Sequence, residues 1–275
     1  MSTKSLSTCR GCQFSSLMAK AAIAGTTLAA AMAVAGLTGA NRARADVVII
    51  ANPVVIPATV NLSAGTTDWA DFGGPNFEPG GSITPTFNSA VNTAFSNVVN
   101  VGGSSSPTVT TGYAATSPST FSWSDGTPTA TAADSDEYAT DNNGNVAGAG
   151  LQFTQNVAGN SSELVNVYVL AYDNGTGNVL PVSLTAQLGS DPAVSNSSNM
   201  PFVVDAYHQN GVYGISIQNT SSSSQILTVT YTQTTSPGST GMYAVSAMPV
   251  PEPATLGLFG IGVLGLLLLK RRKAV

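Results

Sequence analysis

Fourteen carboxylates, one histidine and two cysteines are the side chains from which this chain of 275 residues would have to build acid–base, nucleophilic or metal chemistry. The histidine, His208, stands in the stretch His208-Gln209-Asn210-Gly211, where Asn-Gly reads as a hairpin turn and the imidazole as a surface group. Sequence spacing alone does not exclude a Ser-His-Asp relay, whose members can come together from distant positions, but no G-x-S-x-G elbow is present to expose a nucleophilic serine. Cys9 and Cys12 have the C-x-x-C spacing of a redox or metal pair, yet both lie in the leader that export would remove. Without them, and with one histidine, a zinc site would need carboxylate-heavy ligation. The densest run of acids is ADSDEYATDNNGN, and its hard oxygen donors are of the kind calcium prefers. The EF-hand template fails there: with Asp134 in the first position, Tyr138 takes the third ligand place and Ala139 stands where glycine is required. A solvated loop is the favoured reading, which leaves Asp134, Asp136 and Asp141 as the weak metal candidates. Asp173, in YDNGTGN, reads as turn chemistry. Fourteen acids allow many glycosidase-like pairs, and that multiplicity singles out none of them.

The distribution of charge excludes more than the motifs do. Five basic residues (Lys4, Arg10, Lys20, Arg42, Arg44) precede Asp46 and four (Lys270, Arg271, Arg272, Lys273) follow Leu269, with none between. All fourteen acids lie from Asp46 to Glu252, so a formal net charge of -5 conceals a middle segment of -14. A segment without a permanent cation cannot grip phosphate, which argues against nucleic acid and nucleotide triphosphates as partners. A phosphate loop closed by lysine is excluded for the same reason. No cofactor is implied.

The elements that would position these residues read as strands. In LVNVYVLAYD, Leu164 to Asp173, Val165, Val167, Val169 and Ala171 face one way and Asn166, Tyr168, Leu170 and Tyr172 the other, so both faces are expected to be at least partly covered. The Asn174 to Gly177 turn signal and the alternating VLPVSLTAQL that follows predict a hairpin. FVVDAY and VYGISIQ flank the His208 to Gly211 turn in the same way, and a third pairing is expected across Ser221 to Ser224 into Ile226 to Thr234. Upstream, VVIIANPVVIPATVNL gives one or two early strands, with Pro53 and Pro57 placing them at an edge or bend. From Ser63 to Gly150 the chain is dense in Gly, Ser, Thr, Asn and Pro, which predicts long loops between short strands. Trp69 and Trp123, with Tyr113 and Tyr138, either fill the core or form a sugar-stacking platform, and large rings favour burial. The expected fold is all-β: one antiparallel β-sandwich or jelly-roll ectodomain over residues 46–249.

Both termini carry addresses. A basic leader precedes the apolar AAIAGTTLAAAMAVAGL, and Ala43-Arg44-Ala45 offers small residues for cleavage before Asp46, so residues 1–45 read as a signal helix. At the other end stands VPEPATLGLFGIGVLGLLLLKRRKAV. Its uncharged run, residues 254–269, spans about 24 Å as a helix, slightly short of a hydrocarbon core of about 30 Å. Ten of those residues are Leu, Ile, Val or Phe, so the run reads as a single transmembrane helix whose shortfall flanking lysines and arginines can absorb. The basic cluster Lys270, Arg271, Arg272 and Lys273 is a cytoplasmic stop that leaves the acidic segment outside the inner membrane.

This tail, residues 250–275, resembles the PEP-CTERM sorting signal: Pro251-Glu252-Pro253, then Ala254-Thr255, a glycine-studded apolar stretch and a basic cluster. The resemblance implies an exported protein of a Gram-negative bacterium that serves as substrate of an exosortase, a membrane-embedded enzyme that supplies the cysteine nucleophile and processes near the motif. Family members are associated with exopolysaccharide and biofilm, so the resemblance implies a non-enzymatic cell-surface or matrix protein with inner membrane, exosortase and exopolysaccharide as partners. FSWSDGTPTATAAD, ELVNVYVLAYDNG and SLTAQL resemble a sandwich module of such proteins, which implies no catalytic residues. A secreted glycan-binding or glycan-cleaving protein is the alternative.

Overall fold

A computed structural model describes residues 46–49, 52–73, 85–88, 94–102, 107–111, 119–127, 130–135, 137–140, 146–172, 180–198, 200, 202–203, 208–236 and 238–250. All regular structure among them is β. The expected signal helix and C-terminal transmembrane helix lie outside the described residues, and among those described no helix is long and apolar enough to cross a membrane.

The largest sheet is built on three long neighbours: β12 (Ser161–Tyr172) between β16 (His208–Asn219) and β18 (Ser239–Pro249). β1 (Asp46–Ile49) closes one side against β16, and β15 (Phe202–Val203) also pairs β16. Beyond β18 come β3 (Asp68–Asp71), β4 (Thr86–Asn88) and β8 (Gly126–Thr127), while β10 (Glu137–Thr140) joins β18 to β6 (Thr108–Thr111). A second sheet has the order β14 (Val194–Ser198), β13 (Val182–Leu188), β17 (Gln225–Gln233), β11 (Gly150–Val157), β5 (Val99–Val101). A third holds β2 (Thr59–Asn61), β7 (Thr120–Trp123) and β9 (Ala132–Ser135); β2 and β7 run parallel, and every other paired strand is antiparallel.

The large sheet is covered on both faces, which is why its central strand is apolar in both phases. Val165, Val167, Val169 and Ala171 of β12 join Ile215, Ile217, Val245 and Ala247 against Leu151, Phe153, Leu184, Ala186, Leu227 and Val229 of the second sheet. On the opposite face Tyr168 and Leu170 pack with Trp69, Tyr243, Phe121 and Trp123, joining the large sheet to the third. A register shift between Tyr168 and Val169 aligns them with Ala244 and Met242, skipping Tyr243. That bulge lets consecutive Tyr243 and Ala244 share one face, where Tyr243 stacks on Phe121 at 5.6 Å between centroids.

The alternation of apolar residues identified strands correctly, but of the three expected pairings only that of FVVDAY with the strand after it is found, as β15 against β16. Leu164–Asp173 and VLPVSLTAQL do not form a hairpin, because β12 and β13 belong to different sheets. Likewise β16 and β17 are not paired across Ser221–Ser224; the chain crosses the sandwich there. Alternation records which residues are buried, and a strand that turns into the facing sheet buries the same faces as one that folds back on its neighbour. His208-Gln209-Asn210-Gly211 is not a surface turn but the first part of β16, with Phe202 opposite Asn210 and Val203 opposite Gln209. The acidic run also departs from a solvated loop, since its backbone contributes β9 to the third sheet and β10 to the large one.

Candidate functional site

Three features of sequence determine how the chain leaves the sandwich. β18 carries small and apolar residues and is buried from Thr240 to Ala247, so it fits between two strands and two layers. Pro249 ends it, and Pro251 and Pro253 supply no N–H to extend a ladder. β18 is consequently a central strand to its last residues: Ala247 is opposite Asp68 on one side and Val165 on the other. The Thr67 N–H donates to Ala247 O at 2.8 Å, and the Val250 N–H to Ser162 O at 2.9 Å. The sorting residues Pro251, Glu252, Pro253, Ala254 and Thr255 and the basic cluster from Lys270 to Lys273 lie outside the described residues, as do Ala43 and Ala45.

Beside this exit lies a pair of sequestered carboxyls that sequence reading missed. Glu163 is opposite Pro249 on β12, half-buried, and its Oε2 accepts a hydrogen bond from Gln155 Nε2 at 2.8 Å. Asp68 is buried, with Oδ1 accepting from the Trp69 N–H at 2.9 Å and Oδ2 from the Ala94 N–H at 2.6 Å. Burial pushes the Asp68 carboxyl above its ordinary value, against the backbone donors of Ala94, Trp69 and Phe95 that hold it down. Glu163 is also raised, chiefly by burial and further by the negative charge of Asp68, with the Gln155 bond opposing. Both Asp68 oxygens accept from backbone N–H groups and fasten the 94–95 segment to β3, a structural use of the acid. Glu163 is the one charged residue of β12, a signal the sequence offered; its nearness to Asp68 depends on pairings across the large sheet.

Asn219 pins the turns of the same end. Its Nδ2 donates to Ala158 O at 2.9 Å, Ser223 O at 3.1 Å and Val157 O at 3.2 Å, and Oδ1 accepts from the Ser221 N–H at 3.0 Å. Gly159 passes so close to this turn that a Cβ there would stand 2.5 Å from Ser222 O.

The remaining candidates are dispersed. His208 is 4 % exposed, and its ring lies 4.7 Å from that of Tyr172 at the opposite end of β12. Trp69 and Trp123 are buried 5.5 Å apart in the second core, so the core reading holds for both and they offer no sugar platform. Trp69 Nε1 donates to Asp125 Oδ1 at 3.1 Å, and the same oxygen accepts from Ser63 Oγ. Tyr113 lies outside the described residues, and only the strand position of Tyr138 in β10 is described. Asp134 lies in β9, whereas Asp136 and Asp141 are outside the described residues. Among the described residues no group of three or more His, Cys, Asp or Glu is placed to hold a metal ion.

The family model of the PEP-CTERM protein-sorting motif matches residues 249–273, beginning at the last residue of β18. No curated protein is significantly similar to the chain. Among solved structures it is similar to the enzymatically active domain of tailspike protein 4 from bacteriophage CBA120, at 14% identity and a TM-score of 0.31, over 57% of this chain and 19% of that one. It is similar also to a family 35 carbohydrate binding module from Clostridium thermocellum, at 14% identity and a TM-score of 0.31, over 56% of this chain and 93% of that one. A third is the exo-β-1,3-galactanase of Phanerochaete chrysosporium, at 13% identity and a TM-score of 0.30, over 62% and 29% of the respective chains. At these TM-scores the likenesses carry no argument about ligand or activity.

Proposed function

The chain carries a PEP-CTERM protein-sorting motif at its C-terminus, and from this premise we propose that it is an exported structural protein of the cell surface or extracellular matrix. Such a motif implies export and sorting by an exosortase. In this reading residues 1–45 are removed before Asp46, residues 254–269 anchor the chain in the inner membrane, and Lys270–Lys273 hold that anchor from the cytoplasmic side. The exosortase acts at Pro251–Thr255, and the acidic sandwich passes to an exopolysaccharide-rich surface without catalysing a reaction.

The observation that supports this most is the direct handover from β18 to the motif: Val250 is still hydrogen-bonded to Ser162, and the matched region has already begun at residue 249. The folded domain and the address are thus contiguous, with the domain as cargo. A sandwich (residues 46–249) with formal charge -13 and no Lys or Arg is also strongly hydrated and self-repelling, properties suited to an extracellular matrix. Fractionation of the producing cell tests the proposal. The sandwich is expected in the membrane fraction and then at the surface or in the medium; full-length protein accumulating in the cytosol would overturn it. Glycan binding or cleavage is the competing reading and would have to use residues other than the buried Trp69 and Trp123. Retention of the protein on the producer's own polysaccharide would favour binding, and turnover abolished by an Asp or Glu substitution would favour cleavage.

A further inference from the structure

The registers of four adjacent strands place the two ends of the sandwich on one rung. Asp46 is opposite Gln218, Gln218 is opposite Ser162, and Ser162 O accepts from the Val250 N–H. The order β1, β16, β12, β18 has three inter-strand steps, so Asp46 and Val250 are separated by about 14 Å at a spacing of about 4.8 Å. β1 runs away from this rung and β18 runs into it, so the chain preceding Asp46 and the chain following Val250 both join the domain at the same end.

Chain length then fixes how near that end must lie to lipid. Four residue steps separate Val250 from Ala254, where the uncharged run begins, and even fully extended they reach no more than about 14 Å. The headgroup layer occupies about 5 to 8 Å of that distance. We propose that the end bearing Asp46, Ser162, Val250 and the Asn160 and Ser221–Ser223 turns rests on the phospholipid headgroups while the tail is inserted. The opposite end, with Tyr172, His208, Ser236 and Ser239, is presented outward. β18 alone, with its 11 residues, separates the two ends by about 35 Å. Because Asp46 shares the rung, the processing points beside Asp46 and Val250 face the same surface.

This inference rests on the tail being a membrane anchor, and the experiment separates the two claims. Full-length protein in a Cys9→Ser, Cys12→Ser background carries one fluorophore on a cysteine replacing either Ser222 or Ser236, both exposed turn residues at opposite ends. It is reconstituted into phosphatidylcholine–phosphatidylglycerol vesicles containing a lipid with a nitroxide on its headgroup. Quenching at position 222 is expected to exceed that at position 236 at least threefold. Co-flotation with vesicles but equal quenching, or stronger quenching at 236, overturns the orientation alone. Failure to float overturns the anchor and the orientation with it.

Discussion

Replacing Asn219 by alanine removes a buried amide that serves five neighbours, so its cost can be worked from their exposure. The Nδ2 bond to Val157 O is fully buried, and alanine strands that carbonyl at about 1 to 3 kcal/mol. The bonds to Ala158 O, Ser223 O, the Ser221 N–H and Gln225 Nε2 are only part-buried, so water can replace them and they contribute little more. A net loss of about 1 to 3 kcal/mol lowers the Tm of a domain of this size by about 2 to 12 °C. Both tryptophans of the chain, Trp69 and Trp123, are buried, so their fluorescence reports unfolding of the full-length protein in detergent. Ser222→Ala, an exposed change in the same turn, serves as the control and is expected to shift the midpoint by less than about 1 °C. An Asn219→Ala midpoint no lower than the control's would refute the view that this amide holds the tail end together.

Glu163→Gln should act in the opposite sense and with pH. Because burial raises the Glu163 pKa, ionisation costs the folded state; the stability tied to its protonation is present below the unfolded carboxylate pKa and lost as pH rises through the raised folded value. The variant is therefore expected to melt higher than the parent at pH 7, with the gain shrinking toward pH 4; a gain that does not vary with pH would remove the carboxyl's burial as its cause. Trp123→Ala vacates a buried site beside Trp69 and should cost about 3 to 5 kcal/mol in denaturant unfolding. Gly159→Ala forces a methyl against Ser222 O and should cost about 1 to 3 kcal/mol; an unchanged denaturation midpoint would show that the turn yields freely.

The sequence made burial legible and left most pairings hidden; that of FVVDAY with β16 was legible. Alternation in LVNVYVLAYD marked β12 as covered on both faces, which the two cores confirm. The same alternation in VLPVSLTAQL could not say that β13 lies in the other sheet, since either arrangement buries Val182, Leu184, Ala186 and Leu188 alike. Asn210-Gly211 misled for a related reason: the dipeptide favours a turn locally, but pairing with β12 along twelve residues outweighs that preference and keeps it extended. At the exit, the tail motif was readable residue by residue, whereas its surroundings were not. The nearness of Asp68 to Glu163 depends on β3, β18 and β12 lying side by side, and that adjacency joins residues as far as 180 positions apart, such as Thr67 and Ala247.

The fate of the two ends tests the account most directly, and the absence of Lys and Arg between Asp46 and Leu269 makes it readable as a single mass. Trypsin cannot cut within that span, so digestion of the protein recovered from the cell surface or medium leaves the whole sandwich as one fragment. The account predicts a fragment that begins at Asp46 and ends within or beside Pro251–Thr255. A fragment running from Ala45 to Lys270, the product of trypsin acting on an unprocessed chain, would contradict it.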